Sequence, residues 1–574
     1  MALKRRGIFI LAAAVAAIAL GAAAMGALAL VLRGGTKSTS WTRSAETYLD
    51  LSLAEIPEQP APNDLGSFLE SRPPSLRALI EALDRGAKDA KVKAVVLRVS
   101  VLPDAGWAKV QELRDAIARF RESGKPAYAH LEFCGNKEYY LATACTKIYA
   151  VPTAILNVSG LSAEVTFFKG TLDKLGIQAQ FEGVGKYKNA PNQFTERQFT
   201  EPHREQTEAL LDSLFTEYLK AIGKSRNRPE TEVRGLLDAG PYDGARAKEA
   251  GLVDELLYHD ELSERMSGAE RVTPARYVRA SRGFSLDGKP KVALVYAVGD
   301  IISGESQSGL GGEFMGSDTV ARAIREARKD GAIRALVLRV DSPGGSGTAS
   351  DVMWREVALT RKVKPVIVSM GDVAASGGYY VSMAGDAIVA QPGTITGSIG
   401  VFGGKLSLQG LYDKLGLSKE ILTRGRHAAI FSSYRPWTDE ERASFRQLMT
   451  TFYEEFVTKA AEGRGKSYDE IHAVAQGRVW TGTQALEAGL VDRLGGMDTA
   501  IDLAKERAKI AKDQEVALVI LPERKGFFQT VLERQEEGVE SRYLPGDVRA
   551  SLGLARLLSD GAPLARLPFE LTVR

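Results

Sequence analysis

Cysteine is nearly missing from this chain. Cys134 and Cys145 are the only two in 574 residues. That excludes a disulfide framework, although the two would be free to pair in an oxidising compartment. Histidine is scarce as well: His130, His203, His259, His427 and His472 are scattered, and neither HExxH nor CxxC occurs. No metal site and no cofactor are therefore expected. There is no excess of one charge either. Lys plus Arg is 75 and Asp plus Glu is 72, a net charge of +3, which gives no reason to expect a nucleic-acid partner.

What the chain does have begins at its N-terminus. Lys4, Arg5 and Arg6 precede 26 uncharged residues, 7–32. A bilayer core of ~30 Å takes about 20 apolar residues, whereas a secretory signal has an apolar region of only about 7–15. The run is accordingly expected to be a retained transmembrane helix, despite Ala-x-Ala triplets that a peptidase could cut. The basic residues before it outnumber Arg33 and Lys37 after it, which puts the N-terminus in the cytoplasm and the rest outside.

The chain also repeats itself. Residues 93–99 return as 334–340, 173–176 as 413–416, Tyr139-Tyr140 as Tyr379-Tyr380, and 249–254 as 487–492. One spacing held over four blocks means two copies of one domain. The expected division is an N-terminal part with the anchor at 1–40, repeats at 41–275 and 276–510, and an extension at 511–574, with a polar linker over 267–290. Short apolar runs at 292–298, 335–340, 366–369 and 387–390 read as buried strands, and amphipathic stretches at 319–329 and 439–461 as helices. Such alternation predicts a layered α/β fold with a mainly parallel sheet.

Where the copies differ, chemistry can be read. Ser376 lies in GDVAASGGYY at 371–380, among the smallest side chains. Its counterpart in the first copy is Asn136. The pair Gly344-Gly345 faces Pro103-Asp104. Conversely, Lys188 of the first copy faces Ala428. One copy holds the serine and the other a lysine, which suggests a Ser–Lys dyad shared between domains. A serine hydroxyl needs a base, and a lysine serves once desolvation lowers its pKa. Gly344 and Gly345, with the amide of Gly377, are candidates to hold an oxyanion. Each feature also has a plain structural explanation: an N-cap serine, a surface lysine, a Pro-Gly turn. GKYK at 185–188 offers two lysines, which the copy comparison alone does not separate.

SPGG at 342–345, MGDVAASGGYY at 370–380, TGSIGVFG at 396–403 and GKYK together resemble the signal peptide peptidase A family, in its long two-copy form, within the ClpP/crotonase superfamily. The resemblance covers nearly the whole chain. It implies two tandem ClpP/crotonase-like domains, with Ser376 as nucleophile, Lys188 as general base and Ser398 positioning the lysine. It also implies a homotetramer on the outer face of the inner membrane, in the periplasm, that degrades cleaved signal peptides and other apolar peptides. The competing readings are a crotonase-type acyl-thioester enzyme, which would need neither serine nor lysine, and a non-catalytic membrane scaffold.

Overall fold

The computed structural model describes residues 45–60, 73–281, 288–309, 312–522, 564–566 and 572–573. The expected anchor at 7–32 lies outside them. Among the described residues no helix is long and apolar enough to cross a membrane.

Each copy builds a mainly parallel sheet, and the two sheets share one strand order. In the first half it runs Tyr242–Asp243, Lys147–Leu156, Ala127–Cys134, Val92–Val99, Thr47–Leu53, Glu270–Val272. In the second it runs Val479–Thr481, Ile395–Gly397, Val366–Ala375, Ile333–Ser342, Lys291–Val298, Ala517–Leu521. Only the first strand of each order pairs antiparallel to its neighbour. The central strands are buried on both faces, so they read as continuous apolar runs rather than alternating ones. Helices cover them. In Ser317–Lys329, Val320, Ala323, Ile324 and Ala327 form the buried stripe, and Arg328 and Lys329 sit in the last turn, where the helix dipole favours cations.

The stretch 267–290, expected to be a linker, contains structure. Strand Glu270–Val272 pairs with Thr47–Leu53, and helix Pro274–Ser281 packs on helix Leu76–Lys88, burying Tyr277 and Val278. Elements this short carry too little periodicity to stand out from polar surroundings.

Two features lock the halves together. In a third sheet, strand Gln178–Val184 of the first half pairs antiparallel along its whole length with Val401–Ser407 of the second. The second is a buried charge network across the boundary. The Asp372 carboxylate accepts from the amides of Gly106 (2.7 Å) and Lys109 (2.8 Å), capping helix Trp107–Glu122 from across the boundary. The Lys109 ammonium meets Asp341 at 2.9 Å. Arg339, fully buried, pairs with Glu58 at 2.8 Å and Glu112 at 3.0 Å. Removing one partner of such a buried group costs about 3–5 kcal/mol, so the network holds the halves in one relative position.

Candidate active site

Ser376 follows strand Val366–Ala375 and starts helix Gly377–Ser382. The bland expectation for a serine there is a side-chain cap, yet its hydroxyl makes no capping bond. Its backbone has φ 53° and ψ −110°, a conformation that costs a non-glycine residue about 1–3 kcal/mol. Hydrogen bonds hold it: the Ser376 amide donates to Gly397 O at 2.8 Å, and the Tyr380 amide donates to Ser376 O at 2.8 Å. The small neighbours are required by crowding. A Cβ at Gly377 would lie 2.6 Å from Ser350 Oγ, and one at Gly378 2.6 Å from Ser342 O.

Lys188 arrives from the other half, just after strand Gln178–Val184. Its Nζ lies 2.7 Å from Ser376 Oγ, 3.0 Å from Ser398 Oγ and 3.2 Å from Ser398 O. The side chain is buried, and burial alone drives its pKa well below the ordinary lysine value. No carboxylate opposes the shift. A neutral amine has two N–H groups and one lone pair, and three oxygens surround it. It can donate to both Ser398 oxygens while accepting from the Ser376 hydroxyl, which is the arrangement a general base needs. Lys186 is elsewhere: exposed, 3.1 Å from Tyr187 OH and 3.6 Å from Glu205.

Two residues that seat the lysine carried no signal in the sequence. The Tyr187 amide donates to Gln476 O at 2.8 Å. At Gly477, φ is +76°, and a Cβ there would fall 2.5 Å from the Lys188 amide nitrogen. Only glycine lets the two backbones approach so closely. Beside Lys188 a cleft of about 410 Å³ opens, lined in part by Phe181, Asn189 and Thr200.

Gly377 is the first residue of its helix, so its amide has no intrahelical acceptor. Gly344 lies against it: a Cβ at Gly344, where φ is +101°, would be 2.7 Å from Gly377 N. The Gly344 amide itself donates to Ser342 Oγ at 3.2 Å. Gly345 packs against strand Asp300–Ile302, where its Cβ would strike Ile301 O.

The equivalent place in the first half is filled. Asn136 donates to Gly160 O at 2.8 Å and accepts from the Ser159 amide and Tyr218 OH, both at 3.2 Å. Cys134 and Cys145 are buried and unpaired, and burial pushes the Cys145 thiol up to about 12. Among the described residues no group of His, Cys, Asp or Glu is arranged to hold a metal.

A buried serine at the C-terminal end of an interior strand of a mainly parallel α/β sheet, in contact with a desolvated lysine, has the makings of a serine hydrolase site. The comparisons with known proteins agree. The chain belongs to peptidase family S49, whose pattern it matches at residues 119–273 and 358–511, and it is a serine protease. It is 37% identical over 460 residues to the chloroplastic serine protease SPPA of Arabidopsis thaliana, covering 78% of this chain and 68% of that one. To protease 4 of Haemophilus influenzae it is 30% identical, covering 84% and 82%. A putative signal peptide peptidase SppA of Enterococcus faecium is 34% identical across 33% of this chain and 55% of its own.

Proposed function

We propose that Ser376 is the nucleophile and Lys188 the general base of a peptidase that cleaves apolar peptides beside a membrane, residual signal peptides among them. The observation that carries this reading is the 2.7 Å contact between Lys188 Nζ and Ser376 Oγ inside a buried site. Lys188 takes the hydroxyl proton as Ser376 attacks the peptide carbonyl, then returns it to the leaving amine. Ser398 fixes the amine through two oxygens, and Gly377, with the Gly344–Gly345 turn beside it, faces the developing oxyanion. The tandem ClpP/crotonase-like organisation, with repeats at 41–275 and 276–510, is supported by the shared strand order of the two sheets. A membrane anchor within 1–40, a periplasmic catalytic part and a homotetramer belong to the same proposal. Support for the anchor is the uncharged run 7–32. For the substrate class, it is the printed name of the Enterococcus relative. Exposed Leu415, Leu417, Leu422 and Phe431 are candidates for subunit contacts.

The deciding experiment is fluorophosphonate labelling and peptide hydrolysis by the wild type and Ser376→Ala. Wild-type protein should be labelled on Ser376 and active, and Ser376→Ala neither. A Ser376→Ala protein that still hydrolyses peptides would end the assignment. An unlabelled, inactive wild type that still assembles on membranes would favour a scaffold.

A further inference from the structure

The third sheet contains a strand that comes from the far end of the chain. Leu564–Arg566 inserts between Gly344–Ser346 and Val401–Ser407, antiparallel to both. Without it those two strands would present open edges to one another beside Ser376. A short extended segment seated this way is how a sheet edge receives a peptide, by main-chain pairing with side chains in alternate pockets.

The segment is positioned like a substrate. A Cβ at Gly344 would lie 2.0 Å from the Ala565 carbonyl oxygen, and one at Gly377 2.9 Å from the same atom. That carbonyl therefore sits over the two glycines proposed to face an oxyanion. Leu564 is buried against Ala190 and Phe402, with Phe181, Phe194 and Ile302 around it. Arg566 follows, and both ends of its guanidinium reach Asp300, with Nε to Oδ1 and Nη2 to Oδ2 each at 3.1 Å. Asp300 is buried, burial raises its pKa, and among the described residues Arg566 is the one cation paired with it. A buried carboxylate facing a peptide-binding edge needs a cation, and a planar bidentate partner suits it best.

We infer that Asp300 is a specificity residue, selecting a basic side chain immediately after the small residue whose carbonyl lies over Gly344 and Gly377, and that Leu564-Ala565-Arg566 is an internal occupant of that same site. The inference rests on the Ser376–Lys188 reading. Incoming peptides then compete with the chain's own tail.

The test uses the full chain in detergent and three peptides that differ only after a shared Leu-Ala: Arg, Gln or Glu. Wild type should cleave the Arg peptide after alanine at least about tenfold more efficiently than the Glu peptide, in kcat/KM. Asp300→Asn should bring the three within about twofold, and Asp300→Lys should reverse the order, as a charge swap across one pair requires. Equal use of the three peptides by wild type, or loss by the same factor on all three in Asp300→Asn, would overturn the inference. Arg566→Glu places like charge against Asp300, so it should speed fluorophosphonate labelling of Ser376 several-fold, and an unchanged rate would remove the tail from the site. Binding of a fluorescent Leu-Ala-Arg peptide to Ser376→Ala, with and without Asp300→Asn, reads recognition apart from chemistry. Preference that survives there while wild type hydrolyses nothing would refute the proposed function and leave the Asp300 pocket standing. Binding indifferent to Asp300→Asn would refute the pocket.

Discussion

Lys188→Met tests the protonation state on which the mechanism depends. Methionine keeps the length of the side chain and removes the amine. At pH 8 a lysine in the unfolded chain is protonated, its usual pKa being about 10.4, while the buried Lys188 must be neutral to act as a base. Deprotonation on folding costs about 1.4 kcal/mol per pH unit of that gap, about 3 kcal/mol at pH 8. Methionine avoids this cost. It also leaves the Ser376 and Ser398 hydroxyls without their amine partner, which costs about 1–3 kcal/mol. The two terms nearly cancel at pH 8, so the sharper readout is the slope. Burial lowers the folded-state pKa. Between that value and about 10.4 the unfolded wild type binds one proton more than the folded, so its stability should rise with pH by about 1.4 kcal/mol per unit relative to Lys188→Met. Urea unfolding of both full-length proteins in detergent, followed by tryptophan fluorescence from pH 7.5 to 9.5, measures it. A difference that stays flat with pH would mean the ammonium is retained in the folded site, and the general-base argument would fall.

The peptidase rate should rise with pH along a single ionisation to a plateau, with its midpoint well below the ordinary lysine value. Lys188→Arg should be inactive at every pH because guanidinium cannot accept the proton, whereas Lys186→Ala should keep the wild-type profile. Ser398→Ala removes one acceptor from the Lys188 amine, so kcat/KM should fall about tenfold, the size of one hydrogen bond. Losing an acceptor disfavours the ammonium, so the pH midpoint should also move toward acid, which a merely structural loss would not produce. Gly477→Ala should destabilise the fold by about 2–4 kcal/mol, from the positive φ and the contact with the Lys188 backbone. It should also lose far more activity than Lys186→Ala does, and wild-type activity in a folded Gly477→Ala protein would refute the role given to that close approach.

The internal duplication was open to direct reading, because both copies kept enough residues at one spacing for their differences to stand out. Ser376 against Asn136 and Lys188 against Ala428 already pointed to one site divided between two halves, and the long apolar strands and amphipathic helices announced the α/β layers. Tertiary structure decided the rest. The copy comparison did not choose between Lys186 and Lys188, and only the family resemblance selected Lys188; the packing, which buries that amine beside Ser376 and leaves the other in solvent, supports the proposed role. Gly477 and Gln476 look like turn residues until their backbone is found against residues 187 and 188 from nearly 290 positions away. Asp300 and Leu564–Arg566 are short, lack periodicity and lie far apart in the chain, so no local pattern links them. Their pairing exists only because strands Gly344–Ser346 and Val401–Ser407 leave a gap one strand wide. Local propensity and repetition are written residue by residue, whereas an amine's desolvation and an unpaired sheet edge depend on what the whole fold brings near.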